Sequence, residues 1–157
     1  MGPVIETARL RLRCFREEDW PAWSATLADP EVVRHLGGIQ FTAEDSWRRI
    51  LSAAGAWPVL GYGYWAVERK EDELLVGQAG FADFKRDMSP SIVGMPEMGW
   101  IFASASQGRG YATEAVLAAL AWADEALRGR EIVAIVDAAN AASIRVCLLY
   151  TSDAADE

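Results

Sequence analysis

Between Glu97 and Ala115 the chain changes character in a way few folds accommodate. Glu97-Met98-Gly99-Trp100-Ile101-Phe102 reads as a strand, Ala103 to Ser106 as a link, and Gln107-Gly108-Arg109-Gly110 as a glycine loop; from Thr113 the period turns helical. Glycines let the backbone curl so that successive N–H groups converge on one point. The helix N-terminus adds its unsatisfied donors and the positive end of its dipole. Together these predict an anion site suited to a phosphate or pyrophosphate, with each charge-assisted hydrogen bond worth about 1.5–3 kcal/mol. Arg109 can add a contact to a phosphate. Two other phosphate loops are excluded. No Gly-Lys-Ser/Thr closes this one, and Gly108-x-Gly110 is followed by Thr113, not by the third glycine of a dinucleotide fingerprint. The glycines alone fit a plain turn before a capped helix equally well.

The rest of the chain alternates strands and helices without strict order. Ile5 to Arg13 has strand alternation, with Arg9, Arg11 and Arg13 predicted on a solvated face. Glu17 to Leu27, Val32 to Leu36 (ending at Gly37-Gly38) and a segment capped by Thr42 and running towards Gly55 read as helices. Tyr62–Arg69 and Leu74–Phe84 flank a charged turn as a hairpin, and Lys85 to Pro96 is loop. Thr113 to Leu127 carries Ala115, Val116, Ala119, Leu120 and Ala123 on one helical face. Ile132–Val136 is a short strand, and Asn140 opens a last helix. The expectation is an α+β domain with a central sheet flanked by helices.

Composition narrows the function. A chain of 157 residues forms one domain, and a net charge of -8 argues against binding the phosphate backbone of nucleic acid. No apolar run is long enough for a membrane span, and the N-terminus lacks the pattern of a signal peptide. Cys14 and Cys147 have no metal or redox spacing, which predicts reduced thiols in the cytoplasm and no metal.

The ordered set of motifs resembles the GNAT N-acetyltransferase superfamily. Gln107-x-x-Gly110-x-Ala112 is similar to its acyl-CoA signature. Gly108 to Ala115 resembles the branch that holds the ribosomal-protein N-terminal acetyltransferases. Glu6 to Arg13, Asp29-Pro30-Glu31-Val32, Gly77-Gln78-Ala79-Gly80-Phe81 and Asn140 to Val146 resemble further segments of that branch, in the same order. The resemblance implies a mostly antiparallel sheet and acetyl-CoA as cosubstrate. The acceptor would be a primary amine, on a small molecule or a protein N-terminus, attacking the thioester directly in a ternary complex. It implies that Ile101, Phe102 and Ala103 pair with the pantetheine arm, one of their N–H groups polarising the thioester oxygen. Gln107, Gly108, Arg109, Gly110, Tyr111, Ala112 and Thr113 would hold the pyrophosphate, and Asn140 would contact the pantetheine side. Glu97 is the candidate general base through a water, against the reading of a solvated strand-edge carboxylate. Ser143 is the candidate donor to the leaving thiolate, against that of a serine satisfying a helix backbone group. His35 reads as a surface or capping histidine, and the tryptophans as mostly core, with Trp57 and Trp65 the alternatives for lining an acceptor pocket.

After Val146 the pattern stops. Residues 147 to 157 resemble a translated sequencing adapter, so the acetyltransferase domain is expected to span 1–146 with a non-native tail after it and without the C-terminal strands of the family. The position where many members carry a catalytic tyrosine falls on Cys147. Two alternatives remain: a non-catalytic acyl-CoA-binding or regulatory module, and a nucleotide-binding protein using the same loop. The identity of the acceptor and the oligomeric state leave no mark in the sequence.

Overall fold

The computed structural model describes residues 2–37 and 39–155, with the backbone alone from 149 onward. Gly38 and, at the end of the tail segment, Asp156 and Glu157 lie outside the described residues. Among the described residues six strands form one sheet in chain order: β1 (Ile5–Glu6), β2 (Leu10–Arg13), β3 (Tyr64–Arg69), β4 (Leu75–Ala82), β5 (Glu97–Phe102) and β6 (Val133–Ala134). All neighbours are antiparallel except β5 and β6, which run parallel. The fold is therefore the mostly antiparallel α+β arrangement that the sequence predicts.

The expected first strand is a hairpin. Thr7 N–H donates to the Leu10 carbonyl at 2.9 Å, and Thr7 Oγ1 accepts from Leu10 N–H at 3.0 Å, so the side chain makes a turn that interrupts the ladder. Alternation still holds within β2. Leu10 and Leu12 are fully buried on one face; on the expected solvated face Arg9 is exposed and Arg11 partly so, but Arg13 is buried. Arg13 is buried against Asp19 (2.8 and 2.9 Å) and Glu68 (3.0 Å), and Arg11 reaches Glu68 and Glu6. Strand β3 sets Glu68 directly opposite Arg11 in the register, and the one-turn 3-10 helix at Glu17–Asp19 closes over the pair. Asp19→Ala would leave Arg13 short of a buried partner. It is expected to cost about 3–5 kcal/mol, read as a lower urea midpoint at unchanged slope.

Helices α1 (Trp20–Ala28), α2 (Pro30–Val33) and α3 (Ala43–Leu60) follow β2. Helix α2 starts two residues earlier than the apolar spacing suggests, because Asp29 accepts from Glu31 N–H at 3.0 Å and Pro30 takes the first helical position. The reciprocal capping box of Thr42 and Asp45 opens α3. The helix continues past Gly55 because Trp57, two residues further on, buries in the core. Helices α4 (Tyr111–Ala126) and α5 (Ala141–Ala155) complete the chain. Helix α4 buries Ala115, Val116, Ala119, Leu120 and Ala123, the face its periodicity predicts.

The sheet separates two cores. Leu10, Leu12, Trp65, Val67, Phe81, Met98 and Phe102 pack with α4 on one face; Phe15, Trp23, Leu27, Ile50, Ala66 and Leu75 pack among α1 and α3 on the other. Trp57 and Trp65 belong to an aromatic cluster with Trp122, at ring-centroid separations of 4.8 to 5.4 Å, and so are core. Among the described residues no helix is long and apolar enough to cross a membrane.

Candidate active site

Strand β6 pairs with β5 only at Glu97↔Val133 and Met98↔Ala134. Beyond that point the two part and leave a wedge in the sheet. Which backbone groups face the wedge follows from alternation. Ala103 N–H donates to the Val76 carbonyl at 2.9 Å, so Ala103, Ile101, Gly99 and Glu97 turn their backbone groups towards β4. Met98, Trp100 and Phe102 turn theirs towards β6; the bond from Val133 N–H to the Pro96 carbonyl, 3.1 Å, has the same parity. Of the expected trio Ile101, Phe102 and Ala103, only Phe102 offers an edge to the wedge. Trp100 offers the other, and the sequence reading passed over it. Side chains divide the opposite way about the sheet: Trp100 and Phe102 pack with the α4 core, Ile101 with the α1–α3 core.

On the α4 side the wedge widens into a cleft of about 810 Å³. Its walls are Trp100 to Phe102, the glycine loop with the first turn of α4, the start of α5, and the turn from Glu31 to Leu36. Gly108 and Gly110 have φ of 78° and 79°, in the left-handed region where a side chain is strained. Gly110 caps α4 without any side-chain hydrogen bond, and the first helical bond runs from Glu114 N–H to the Gly110 carbonyl. The N–H groups of Tyr111, Ala112 and Thr113 therefore have no helical acceptor, and all three residues line the cleft. Gln107 lines it too, while its side-chain amide donates to the Phe102 carbonyl at 3.1 Å and fixes the loop to β5. Arg109 and Ala103 are not in the wall. The loop is held from outside by Arg9, which donates to the Arg109 carbonyl (2.8 Å) and to Glu114 (2.8 Å) and lies over the Tyr111 ring at 4.5 Å. Ser104 Oγ donates to Asp29 at 2.6 Å, tying α2 to the same loop; that bond, with Glu31 N–H, holds the Asp29 carboxyl below its ordinary pKa.

On the other side of the wedge lies a smaller cavity of about 180 Å³. Its wall includes Glu97, Tyr64, Arg86, Arg49, His35 and Asp137, and it shares Trp100, Ile101, Asn140 and Ser143 with the cleft. Glu97 is 6 % exposed, so it is not a solvated strand-edge carboxylate. Both of its oxygens accept from Arg86, at 2.7 and 3.0 Å. The bond to Glu97 raises the Arg86 pKa, so the guanidinium stays charged. Burial, and then the Glu97 charge, push the Tyr64 phenol up to about 12, so it remains a neutral donor. Gly99 makes room for it: a Cβ there would sit 2.6 Å from the Tyr64 hydroxyl.

Asn140 and Ser143 meet at the start of α5, where Asn140 Oδ1 accepts from Ser143 N–H at 3.1 Å. Among the described residues no hydrogen bond engages the Ser143 hydroxyl or the Asn140 amide donors. His35, expected at the surface, lines both cavities and bonds to Asp137 at 3.1 Å. The structure thus gathers Glu97, Asn140, Ser143 and the wedge edge of β5 in one place, with the glycine loop at the far end of the cleft. Arg49, Tyr64, Arg86 and Trp100 are the lining residues that sequence reasoning missed. Alternation counted from the Glu97 strand could have found Trp100; no sequence signal marks the others.

A strand that parts from its parallel neighbour beside a glycine loop defines a class of acyl-CoA transferase, and the chain belongs to the GNAT acetyltransferase family. The family model described as an acetyltransferase (GNAT) domain matches residues 9–148. The solved acetyltransferase from Agrobacterium tumefaciens is 28% identical, with a TM-score of 0.79, over 94% of this chain and 81% of that one. The uncharacterized protein YkkB of Bacillus subtilis is 29% identical over 90% of this chain and 80% of its own length. RimL, a ribosomal alpha-N-protein acetyltransferase solved in complex with coenzyme A, shares the fold at 20% identity and a TM-score of 0.70, over 92% of this chain and 81% of that one. The protein is an acetyltransferase of a family that uses acetyl-CoA.

Proposed function

We propose that this protein moves the acetyl group of acetyl-CoA to a primary amine, by direct attack while both are bound. The observation that carries this reading is the wedge between β5 and β6, through which the 810 Å³ cleft and the 180 Å³ cavity share Trp100, Ile101, Asn140 and Ser143. Acetyl-CoA would occupy the cleft. Its pyrophosphate would lie on the N–H groups of Tyr111, Ala112 and Thr113, and its pantetheine amides would pair with the exposed edge of Trp100 and Phe102. An N–H of that edge would stabilise the negative oxygen that forms as the amine attacks. The C–N bond forms and the C–S bond breaks. The amine proton passes through water to Glu97, and the Ser143 hydroxyl donates to the departing thiolate.

The acceptor enters from the smaller cavity. RimL acts on a ribosomal protein; for this chain the class of acceptor is a primary amine, on a small molecule or a protein N-terminus. In the test, acetyl-CoA is expected to raise the melting temperature, and CoA thiol to appear only when an amine is added. Protection without turnover by any amine would leave a binding module in place of an enzyme; stronger protection by ATP or NAD would overturn the acetyl-CoA site itself.

A further inference from the structure

Two arginines and two carboxylates line the smaller cavity, Arg49 and Arg86 with Glu97 and Asp137, but they do not all pair with one another. Arg86 and Glu97 neutralise one another through two hydrogen bonds, and Asp137 pairs with His35. Arg49 is left over. It projects from α3 into the cavity wall, half-buried, with its guanidinium 4.4 Å from the centre of the Phe41 ring. Among the described residues it makes no hydrogen bond and no ion pair. The one acidic group on its own helix near enough to attract it, Asp45, is engaged with Thr42 and Arg48. Burial pulls the Arg49 pKa down, yet a guanidinium keeps its proton at any physiological pH. A half-buried cation without an anionic partner is costly unless something supplies one.

We infer that Arg49 receives a carboxylate carried by the acceptor, so that the substrate of this acetyltransferase is a primary amine with a carboxylate a few bonds away. This rests on the reading of the smaller cavity as the acceptor side. Size and charge agree with it. A cavity of about 180 Å³ admits a group the size of an amino acid and falls below the usual range for larger ligands. A zwitterion also matches the walls: its amine meets Glu97 and Asp137, and its carboxylate meets Arg49. Phe41 keeps the guanidinium in place, so less ordering is needed when the carboxylate arrives. The Tyr64 hydroxyl, within electrostatic reach of Arg49, is a neutral donor to the same anion.

Acetyl transfer to free amino acids, to the same amino acids as amides, and to dipeptides with Asp or Glu at the second position would test this by CoA release. The expected result is a preference of about 10- to 100-fold in kcat/KM for carboxylate-bearing amines over their amides, the range of one charge-assisted hydrogen bond or pair. Free amino acids winning places the carboxylate next to the amine; acidic dipeptides winning places it on the second residue. Both support the inference. In Arg49→Gln the preference should collapse to near unity, and in Arg49→Lys part of it should survive, while acetyl-CoA still protects both variants against heat. Equal turnover of acids and amides, or a preference untouched by Arg49→Gln, overturns the inference and leaves the acetyltransferase reading standing. Protection by acetyl-CoA with no turnover of any carboxylate-bearing amine overturns it too. If acetyl-CoA gives the wild-type chain no protection, the proposed function itself falls.

Discussion

Glu97→Gln is expected to lower kcat by about 10²–10⁴-fold while leaving acetyl-CoA protection intact. The substitution keeps the size of the side chain and one oxygen for Arg86, but removes the carboxylate proposed to take the amine proton. Glu97 lines the smaller cavity and not the cleft, so cofactor binding should not feel the change. A structural role has to be separated from a chemical one, because Glu97 also neutralises Arg86 through bonds of 2.7 and 3.0 Å. Arg86→Gln breaks the same pair from the other side and keeps the carboxylate. If Glu97 takes the proton, Arg86→Gln is expected to lose much less of kcat than Glu97→Gln, because the base remains. Equal losses would make the pair a structural clamp, and proton removal would belong to another group. Amines of lower pKa give a second reading: they arrive already neutral, so Glu97→Gln should penalise them less than ordinary alkyl amines.

The candidate base was visible in the sequence as the first residue of a strand leading to the loop, but its surroundings were not. Arg86 lies eleven residues before it across an irregular loop, and Tyr64 and Arg49 come to line the same cavity only because β3, β4 and β5 align in register and α3 packs over that face. Residue type marks local requirements. Gly108 and Gly110 are legible because positive φ excludes most side chains, and the α4 face is legible because its burial follows a period of 3.6. Pairing leaves no such mark. The side of β5 that faces the wedge depends on the bond between Ala103 N–H and Val76, a contact set by hairpin register, and the free edge therefore falls on Trp100 and Phe102. The same holds for Arg11 and Arg13. Their alternation against Leu10 and Leu12 is plain, yet both pair with Glu68, more than fifty residues away, and Arg13 is buried under Asp19 in the turn that covers it. A pattern in one strand tells which residues share a face and says nothing of what covers that face.

Gly110→Trp tests the other half of the site and is expected to weaken acetyl-CoA binding by at least about 100-fold, abolishing thermal protection at ordinary concentrations. Three effects act together. The residue has φ of 79°, where an L side chain costs about 1–2 kcal/mol. Its Cβ would lie 3.3 Å from an Arg9 Nη, the side chain that holds the Arg109 carbonyl and Glu114. The indole would also intrude at the mouth of the Tyr111–Thr113 N–H groups, where each bond to a phosphate is worth about 1.5–3 kcal/mol. Loss of one such bond together with the strain already gives about a hundredfold. The fold should survive, because most of the buried face of α4, Ala115, Val116, Ala119, Leu120 and Ala123, lies beyond its first turn. Gly108→Ala separates the effects. It has the same left-handed φ, but its Cβ would meet nothing within 4 Å, so strain alone remains and the loss should stop near tenfold. Full acetyl-CoA protection in Gly110→Trp, with turnover intact, would take the pyrophosphate away from this helix N-terminus.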